Sequence, residues 1–575
     1  MARSIAPRVR RPNVILVLTD DQGYGDLRCT GNPWIHTPNL DRFCGEAVRC
    51  TDFHVSPMCT PTRGALMTGR LPVRNGAWAT CWGRSILRKT EVTMANVFAE
   101  SGYRTGMFGK WHLGDNYPYR PQDRGFQHVV AHKGGGVGQT PDFWGNSYFD
   151  DTYFHNGRPV AHEGYCTDIW FDEALAFIEA TRDTPFFAYV ATNAPHWPFL
   201  VAERYRELYE GDEHVPEVGF YGMITNIDEN FGRLDRRLRE LGLRDNTILI
   251  FMTDNGSTVA VTPDGRGYNA GMRGMKGSYY DGGHRIPFFV RWPAGGIGGG
   301  RDIDELVMHV DLLPTFIELC GLGAPAGVTF DGLSVATLLS GSRERLPDRT
   351  HFIQYRHDTN PPDQWDSAVM TRRWRLIYGK ELYDIEADPG QQNDVAAEHP
   401  ETVAQLRAAH EAWWEEISPG LEAYCPISLG SDAENPTRLN AMDVLGDVAW
   451  HQGHVLAAQK STGMWAVEVE RAGEYRFSLR RWSDELDLPI DACVPPEEVE
   501  RIPYPPGTCE PIDPVRARLR LFDREETLGV DAGAKEVTFT LRLDQTGVTQ
   551  LEAWFIDAAG EERGAYYVIV ERASS

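Results

Sequence analysis

The feature that most constrains the fold is a series of short apolar segments that alternate with helical patterns along the first 345 residues or so. The segments are rich in β-branched and aromatic residues, and each has the length of a strand that is buried on both faces. Such strands belong to parallel sheets that carry helices on both sides. The sequence therefore predicts an α/β fold with a mostly parallel sheet sandwiched by helices. The five clearest segments are residues 14–19, 105–109, 186–192, 247–253 and 288–292.

One helix is predicted clearly, over residues 223–241. Its apolar residues recur at steps of three and four, which is the period of a helix with one buried face. Gly242 follows and predicts the end of the helix. We expect this helix to pack on the sheet and to lead into the strand at 247–253. The apolar residues are Ile224, Ile227, Phe231, Leu234, Leu238 and Leu241.

The character of the chain changes twice towards its C-terminus. Residues 351–414 contain two strand-like runs and a helical segment that ends in AWWEE, which indicates a small α+β subdomain. After a stretch with Pro and Gly at 419–430, several segments alternate apolar and polar residues, as in an antiparallel β-sandwich. We predict three domains: the α/β domain over residues 1–345, the small subdomain with a linker over 346–430, and an appended β-sandwich over 431–575.

Charge and hydropathy restrict the partners and the location of the chain. Its 57 Lys and Arg against 82 Asp and Glu give a net charge of −25, which disfavours nucleic acid and anionic membranes as partners. No apolar run has the length of a membrane span. The run at 14–18 is too short for a signal peptide and is followed by two aspartates. With ten cysteines that lack paired spacing, a cytoplasmic location is expected, or a periplasmic or secreted one if the natural start lies upstream.

Polar residues follow two of the predicted strands, at the sheet edge where α/β folds bind ligands. Asp20 and Asp21 come after the first strand, and Asp254 and Asn255 come after the strand at 247–253. Three carboxylates and an amide in one crevice repel each other unless a cation lies between them. Hard oxygen ligands suit Ca²⁺ or Mg²⁺ better than zinc. The pattern predicts a divalent metal site, and the alternative for either pair alone is the capping of a turn.

The run CTPTRGALMTGR, residues 59–70, places a cysteine four residues ahead of an arginine. Proline is favoured in the first helical turn, so Pro61 predicts a helix start with Thr60 as its cap and Cys59 beside exposed N–H groups. A helix N-terminus attracts anions, and Arg63 is near enough to help neutralise one. The segment therefore suits a nucleophile that meets an anionic substrate. A buried cysteine in an ordinary capped helix is the alternative.

CTPTR followed by LMTGR resembles the signature of the type I sulfatases, the arylsulfatase-like, formylglycine-dependent branch of the alkaline phosphatase superfamily. The resemblance covers roughly residues 12–418, and both acidic pairs match the family's metal ligands in register. Thr62 stands where serine is usual, which keeps the hydroxyl. A tyrosine-phosphatase loop does not fit, because its arginine follows six positions after the cysteine and position 65 is Ala65.

The resemblance implies that a maturation enzyme oxidises Cys59 to Cα-formylglycine. The hydrated aldehyde would be the nucleophile and would also contribute to the metal site, where Ca²⁺ is expected and Mg²⁺ is the alternative. Its attack on sulfur would form a covalent sulfo-enzyme intermediate. A plain serine or thiol lacks the second hydroxyl whose deprotonation expels sulfate, which explains why the cysteine needs to be modified.

Four further basic residues match the family pattern. Lys110 and His112 lie in GKWHLG, His196 lies in APHWP, and Lys276 lies in MKGSYYDGGHRIP. The resemblance implies that His196 protonates the leaving oxygen while Lys276 grips the sulfate. It also implies that Arg63 and Lys110 hold the aldehyde hydrate, and that His112 removes the proton that leads to sulfate release.

The resemblance thus implies a sulfuric ester hydrolase whose substrate is a small-molecule or carbohydrate sulfate monoester. One alternative is a formylglycine-dependent phosphonate monoester or phosphodiester hydrolase, which typically has histidine where Asn255 stands. Another is a non-catalytic sulfoglycan-binding protein that uses its β-sandwich. Both a monomer and a homo-oligomer are compatible with the sequence. Four tryptophans near the motifs either form a wall for an aryl or sugar group or pack in the core, namely Trp82, Trp111, Trp144 and Trp197.

Overall fold

A ten-stranded mixed sheet forms the centre of the computed structural model, which describes residues 11–504 and 508–573. Five adjacent strands in its middle run parallel, which confirms the predicted fold class. The strand Phe288–Arg291 is antiparallel to its neighbours on both sides. The spatial order is Asp302–Ile303, Val48–Cys50, Phe288–Arg291, Thr247–Thr253, Asn13–Thr19, Phe186–Ala191, Arg104–Lys110, His128–His132, Thr152–His155 and Arg158–Ala161.

Helices cover both faces of this sheet because its central strands are apolar on both sides. In the first strand, Val14, Leu16 and Leu18 belong to one core, and Ile15 and Val17 belong to the core on the opposite face. The first core includes side chains of Cys59–Thr68, Met94–Glu100 and Leu312–Cys320. The second includes side chains of Pro38–Glu46, Cys166–Thr181 and Val218–Glu240.

The predicted helix at 223–241 is present as Val218–Glu240. It begins earlier than predicted, and the side chain of Glu217 caps it by accepting a hydrogen bond from the backbone N–H of Gly219. Gly242 adopts a φ of +67°, which suits the position just after a helix end. The helix packs against Cys166–Thr181 and against the sheet, as expected.

The helix predicted at the cysteine motif is also present, but its cap differs. The helix spans Cys59–Thr68 with Met58 as the N-cap, and no side chain caps its first turn. The prediction that Thr60 is the cap was therefore wrong. Thr60 lies inside the first turn, and its hydroxyl donates a hydrogen bond to the backbone oxygen of His112 instead. This contact ties the motif helix to the loop after the strand Arg104–Lys110.

A small antiparallel sheet and one helix follow the central sheet along the chain. The helix Pro400–Ile417 packs on this sheet through Leu406, which joins Val369, Leu376 and Leu382 in a separate small core. The two strand-like runs predicted from the sequence fall on its first and third strands. The four strands are His351–Gln354, Ser367–Met370, Trp374–Ile377 and Glu381–Asp384.

Two further sheets pack face to face at the C-terminal end of the chain, around a shared apolar core. The strand Ile427–Leu429 belongs to one of these sheets, since it pairs in parallel with Gly463–Val469. This strand lies before the predicted domain boundary at residue 431. The three-domain division itself stays a prediction. One sheet has the order Ile427–Leu429, Gly463–Val469, Gly547–Asp557, Pro514–Leu521 and Arg524–Gly529, and the other has Thr437–Asn440, Tyr567–Arg572, Gly473–Arg480 and Val537–Leu543.

The β-sandwich is attached to the α/β domain through shared apolar cores. Cys81, Ile86 and Tyr119 of the α/β domain lie in the main core of the sandwich. Trp144 lies in a second shared core, where its ring makes an edge-to-face contact with Trp482 at 5.5 Å between centroids. Across the described parts of the chain, none of the helices has the combined length and apolarity that crossing a bilayer requires.

Candidate active site

The two predicted acidic pairs meet at one edge of the central sheet. Asp20 and Asp21 follow the strand Asn13–Thr19, which runs parallel to Thr247–Thr253, the strand that precedes Asp254 and Asn255. The backbone N–H of Asp21 donates to Asp254 Oδ1 at 3.0 Å, and Asn255 Nδ2 donates to Asp21 Oδ1 at 3.0 Å. All four side chains are buried.

This cluster fits a divalent cation. One oxygen from each of Asp20, Asp21 and Asp254 lies within 4.8 Å of the others. Within the described ranges, Asp20 Oδ1 and Asn255 Oδ1 are buried and accept no hydrogen bond. Burial and the neighbouring charge of Asp254 raise the pKa of Asp20 well above its usual range. A cation between these oxygens would satisfy the two orphaned atoms and relieve the repulsion, and the all-oxygen donor set suits Ca²⁺ or Mg²⁺.

Three basic side chains surround the acidic cluster, and each pairs with a different carboxylate. Lys110 Nζ lies 2.6 Å from Asp20 Oδ2, and Lys110 is the last residue of the strand Arg104–Lys110. Lys276 Nζ donates to Asp21 Oδ2 at 2.7 Å, and Arg63 Nη2 donates to Asp254 Oδ2 at 2.8 Å. Burial opposes the charge on Lys276, but the neighbouring acidic groups, Asp21 first among them, together outweigh it, so the pKa of Lys276 lies above its usual range.

Cys59 occupies the first position of its helix and is only 3% exposed. Burial raises the pKa of its thiol above the usual value, although Lys110 and Lys276 oppose this shift. The thiol is therefore protonated at neutral pH, whereas the nucleophilic form of a cysteine is the thiolate. An unmodified Cys59 is poorly prepared for nucleophilic attack in this environment.

The two predicted histidines present one ring nitrogen each to the site. His112 Nε2 donates to the backbone oxygen of Thr80 at 2.9 Å, which leaves Nδ1 as a buried acceptor without a partner among the described residues. His196 Nδ1 contacts the backbone oxygen of Trp197, and Nε2 lies 3.7 Å from Asp21 Oδ2. Burial lowers the pKa of His196 to about 4, although Asp21 opposes this shift.

A cavity of about 370 Å³ connects these groups. Cys59, His112, His196 and Lys276 line it directly, while Arg63 and Lys110 lie behind them at the carboxylates. The structure thus brings all the predicted catalytic and metal-binding residues into one region. The other lining residues are Met58, Thr80, Cys81, Trp82, Gly135, Gln139, Thr258, His357, Met442 and Trp450.

The sequence motifs identified only some of the residues that line this cavity. Of the four tryptophans proposed as a wall, Trp82 lines the cavity, whereas Trp111 and Trp144 are buried in cores. Trp197 packs beside Tyr504 at 5.1 Å between centroids. No local pattern pointed to the residues that were missed, since they lie outside the motifs; among them are Thr80, Gln139, His357, Met442 and Trp450.

Three site residues have a left-handed backbone, as do ten other non-glycine residues of the described chain. Asp21, Trp82 and His112 have φ values of 64°, 63° and 59°, which are unusual for residues with a side chain. Such conformations cost free energy and persist only where the surrounding structure enforces them.

Comparison with known proteins agrees with this geometry. The sequence profile of the sulfatase family matches residues 12–322, and that of the N-sulphoglucosamine sulphohydrolase C-terminal region matches residues 275–413. N-acetylgalactosamine-6-sulfatase of Homo sapiens is 32% identical over 384 residues, which cover 62% of this chain and 70% of that protein. Arylsulfatase A of Homo sapiens is 34% identical over 415 residues, which cover 66% of this chain and 78% of that protein.

A solved structure shares the fold as well. The crystal structure of Ps i-CgsB in complex with k-i-k-neocarrahexaose aligns with a TM-score of 0.64 and 26% identity. The alignment covers 70% of this chain and 93% of that chain. The match of the family profile to more than half of the chain, together with the residues gathered at the cavity, shows that the protein belongs to the sulfatase family of sulfuric ester hydrolases.

Proposed function

We propose that this sulfatase acts on sulfate monoesters with Cys59, after oxidation to formylglycine, as its nucleophile. The observation that carries the proposal is the position of Cys59, which lines one cavity with His112, His196 and Lys276 beside a buried acidic cluster. The raised pKa of the Cys59 thiol supports the need for the modification. The hydrated aldehyde offers two hydroxyls, one for attack on sulfur and one whose deprotonation releases sulfate.

Asp20, Asp21, Asp254 and Asn255 would hold a divalent cation together with an oxygen at position 59. Ca²⁺ is the ion that we propose, because its flexible shell tolerates several carboxylates, and Mg²⁺ is the alternative. When bound, the cation supplies positive charge that stabilises anionic oxygens and lowers the pKa of a nearby hydroxyl.

The basic residues of this chain bind the substrate and move protons. Lys276 reaches the cavity and is positively charged, so it is suited to bind the sulfate oxygens. His196 Nε2 faces Asp21 near the cavity and would deliver the proton to the leaving oxygen, since a bound sulfate favours the protonated ring. His112 keeps Nδ1 free as an acceptor and would take the proton of the second hydroxyl.

The modification at residue 59 can be tested by mass spectrometry. Protein from a host with a formylglycine-generating enzyme should contain an aldehyde in the peptide with Cys59, and it should hydrolyse 4-nitrophenyl sulfate. Cys59→Ala should lose turnover almost completely, because alanine cannot be oxidised to formylglycine. Cys81→Ala is the matched control, since Cys81 lines the same cavity but lies outside the motif. Full turnover by Cys59→Ala would refute the proposal.

The metal can be tested without reliance on activity. Treatment with a chelator should lower the melting temperature and the turnover, and Ca²⁺ should restore both more effectively than Mg²⁺. A ligand at about 100 times its Kd stabilises the folded state by roughly 2.7 kcal/mol. Asp254→Asn should lose this response, whereas Asp183→Asn, a change at an exposed position, should keep it. A chelated protein with unchanged stability and turnover would contradict the metal site.

A further inference from the structure

The β-sandwich contributes directly to the cavity that contains Cys59. Met442 and Trp450 line this cavity, although both belong to the C-terminal part of the chain that the sulfatase profile does not reach. We propose that Trp450, Met442 and Trp82 form the binding wall for the alcohol part of the substrate, and that this wall selects sulfate esters of a single ring. This inference rests on the proposed function of the same site and extends it to the substrate class.

Backbone contacts hold this wall in place. The N–H of Trp82 donates to the backbone oxygen of Met442 at 3.0 Å, so the two lining residues are fixed to each other across the domain contact. The backbone oxygen of Trp450 accepts from the N–H of Thr140 at 3.1 Å, and Gln139 and His451 form an isolated β-bridge beside it. The wall is therefore a built part of the site, because main-chain hydrogen bonds at two separate points secure it.

Trp450 is also oriented by aromatic neighbours. Its ring makes edge contacts with His451 at 4.4 Å and with Tyr504 at 5.5 Å between centroids. The ring remains only partly buried, whereas most tryptophans of the cores are fully buried. A held but partly exposed ring at a cavity is suited to contact a ligand, since little conformational entropy is lost on binding.

The opposite part of the wall is coupled to the reactive residues. Thr80, two residues before Trp82, accepts the hydrogen bond from His112 and also contacts His357 Nδ1 through its hydroxyl at 3.1 Å. Trp82 makes an edge contact with the His357 ring at 5.4 Å and has a left-handed backbone with φ of 63°. The loop that orients His112 thus also presents Trp82 to the cavity.

The size and chemistry of the cavity indicate which class of substrate it binds. Its volume of about 370 Å³ lies near the lower end of the range for small-molecule sites, which is room for one ring and a sulfate. Two tryptophans and a methionine offer apolar and aromatic surface, which binds the flat face of an aryl ring or the apolar face of a sugar ring. The shared feature of both substrates is a single six-membered ring.

The test compares esters that differ in the ring. The substrates are 4-nitrophenyl sulfate, galactose 6-sulfate and ethyl sulfate, which has no ring. For Trp450→Ala we expect KM to rise roughly 10- to 100-fold for the ring esters, with kcat little changed and with no change in KM for ethyl sulfate. Trp450→Phe should restore most of the loss because it keeps an aromatic face. A loss confined to one ring ester identifies whether the wall serves aryl or sugar rings.

Two controls keep the test independent of folding and of turnover. Trp554→Ala removes a tryptophan of the same sandwich that is covered by Arg518 and does not line the cavity, so it should leave all KM values unchanged. Binding of 4-nitrophenyl sulfate to Cys59→Ala protein, measured by calorimetry, should weaken by a similar factor when Trp450→Ala is added. An equal rise in KM for ethyl sulfate and the ring esters would overturn the proposal. An affinity for 4-nitrophenyl sulfate that Trp450→Ala leaves unchanged would overturn it as well. Failure of the unmutated protein to hydrolyse any of the three esters would instead refute the proposed function.

Discussion

Gly135 lies against the imidazole of His112 at the active site. A Cβ atom at position 135 would lie 2.3 Å from His112 Cε1, which is far inside contact distance. His112 cannot yield easily, because its Nε2 is bound to Thr80 and its side chain is only 4% exposed. The absence of a side chain at residue 135 is therefore part of how the histidine is positioned. From the sequence, this glycine was only one member of a Gly-rich stretch.

Substitution of Gly135 by alanine should damage catalysis more than stability. The added methyl group would displace the His112 ring, and misplacement of a catalytic group by about 1 Å can cost on the order of 100-fold in rate. We expect Gly135→Ala to reduce kcat/KM for 4-nitrophenyl sulfate by about that factor. The comparison variant is Gly529→Ala, where a Cβ would meet no atom within 4 Å. Wild-type kinetics in Gly135→Ala would show that the site tolerates a shifted ring.

The small antiparallel sheet is joined to the α/β domain by a buried arginine on its strand Trp374–Ile377. Arg375 Nη2 lies 3.0 Å from Asp52 Oδ1, and Arg375 Nε lies 3.1 Å from Asp281 Oδ1. Burial alone would raise the pKa of both carboxyl groups, but the neighbouring basic groups, Arg375 first and then His54, together outweigh it and lower both below their usual values. Asp281 thus binds two parts of the fold together, a role that its position in a glycine turn did not reveal.

Arg375→Met should strongly destabilise the protein, because it removes the cation that two buried carboxylates share, although Asp52 keeps its contact with His54 at 2.8 Å. Removal of one partner from a buried ion pair typically costs about 3–5 kcal/mol. Arg373→Met on the same strand region is the control, since the exposed pair of Arg373 with Asp384 should contribute at most about 1 kcal/mol. Urea unfolding of both variants measures the difference, and similar losses for the two would contradict the assignment.

The same network predicts how stability depends on pH. Because the folded-state pKa values of Asp52 and Asp281 are lowered, their contribution is fully present above the unfolded pKa of about 3.9 and is lost as pH falls below it. Arg375 is the largest charge that opposes burial at both carboxyl groups, so Arg375→Met should raise both folded-state pKa values. The loss of stability on acidification should therefore be smaller in this variant than in the unmutated protein. Unfolding free energies measured in urea between pH 7 and pH 3 test this shift, and parallel curves for the two proteins would argue against it.

At the scale of the whole molecule, the β-sandwich and the α/β domain form a continuous structure. They share apolar cores at Cys81, Ile86 and Trp144, and Tyr567 donates a hydrogen bond from its hydroxyl to the backbone oxygen of Thr140 at 3.0 Å. The contact between these two parts also brings Trp450 to the cavity. The surface that holds the two parts together therefore also shapes the cavity.

We expect the two parts to unfold together. Calorimetry should show a single cooperative transition, because separation of the parts would expose the shared apolar cores to water. Trp144→Ala should lower the free energy of unfolding by about 3–5 kcal/mol and keep one transition. Two well-separated transitions in the unmutated protein would show that the sandwich folds on its own and that the shared cores contribute little.

Most of the central architecture was predictable from local patterns. Strands buried on both faces read as continuous apolar runs, and the predicted segments at 14–19 and 247–253 agree with the strands Asn13–Thr19 and Thr247–Thr253. Polar residues that directly follow parallel strands lie at one edge of the sheet, so the meeting of Asp20, Asp21, Asp254 and Asn255 could be expected. The hydrogen bond from the Thr60 hydroxyl to the backbone oxygen of His112 could not be expected, because its acceptor lies in a loop that is distant in sequence.

The sequence by itself determined the fold class and the candidate site residues, since periodicity, strand ends and a compact motif are encoded in neighbouring residues. The tertiary structure alone decided the shape of the cavity and the pairing of buried charges. Trp450, Met442 and His357 reach the cavity from segments that are remote along the chain, and no local pattern records such an approach. The physical reason is that these contacts depend on how whole domains pack, which arises only after each segment has buried its own apolar face.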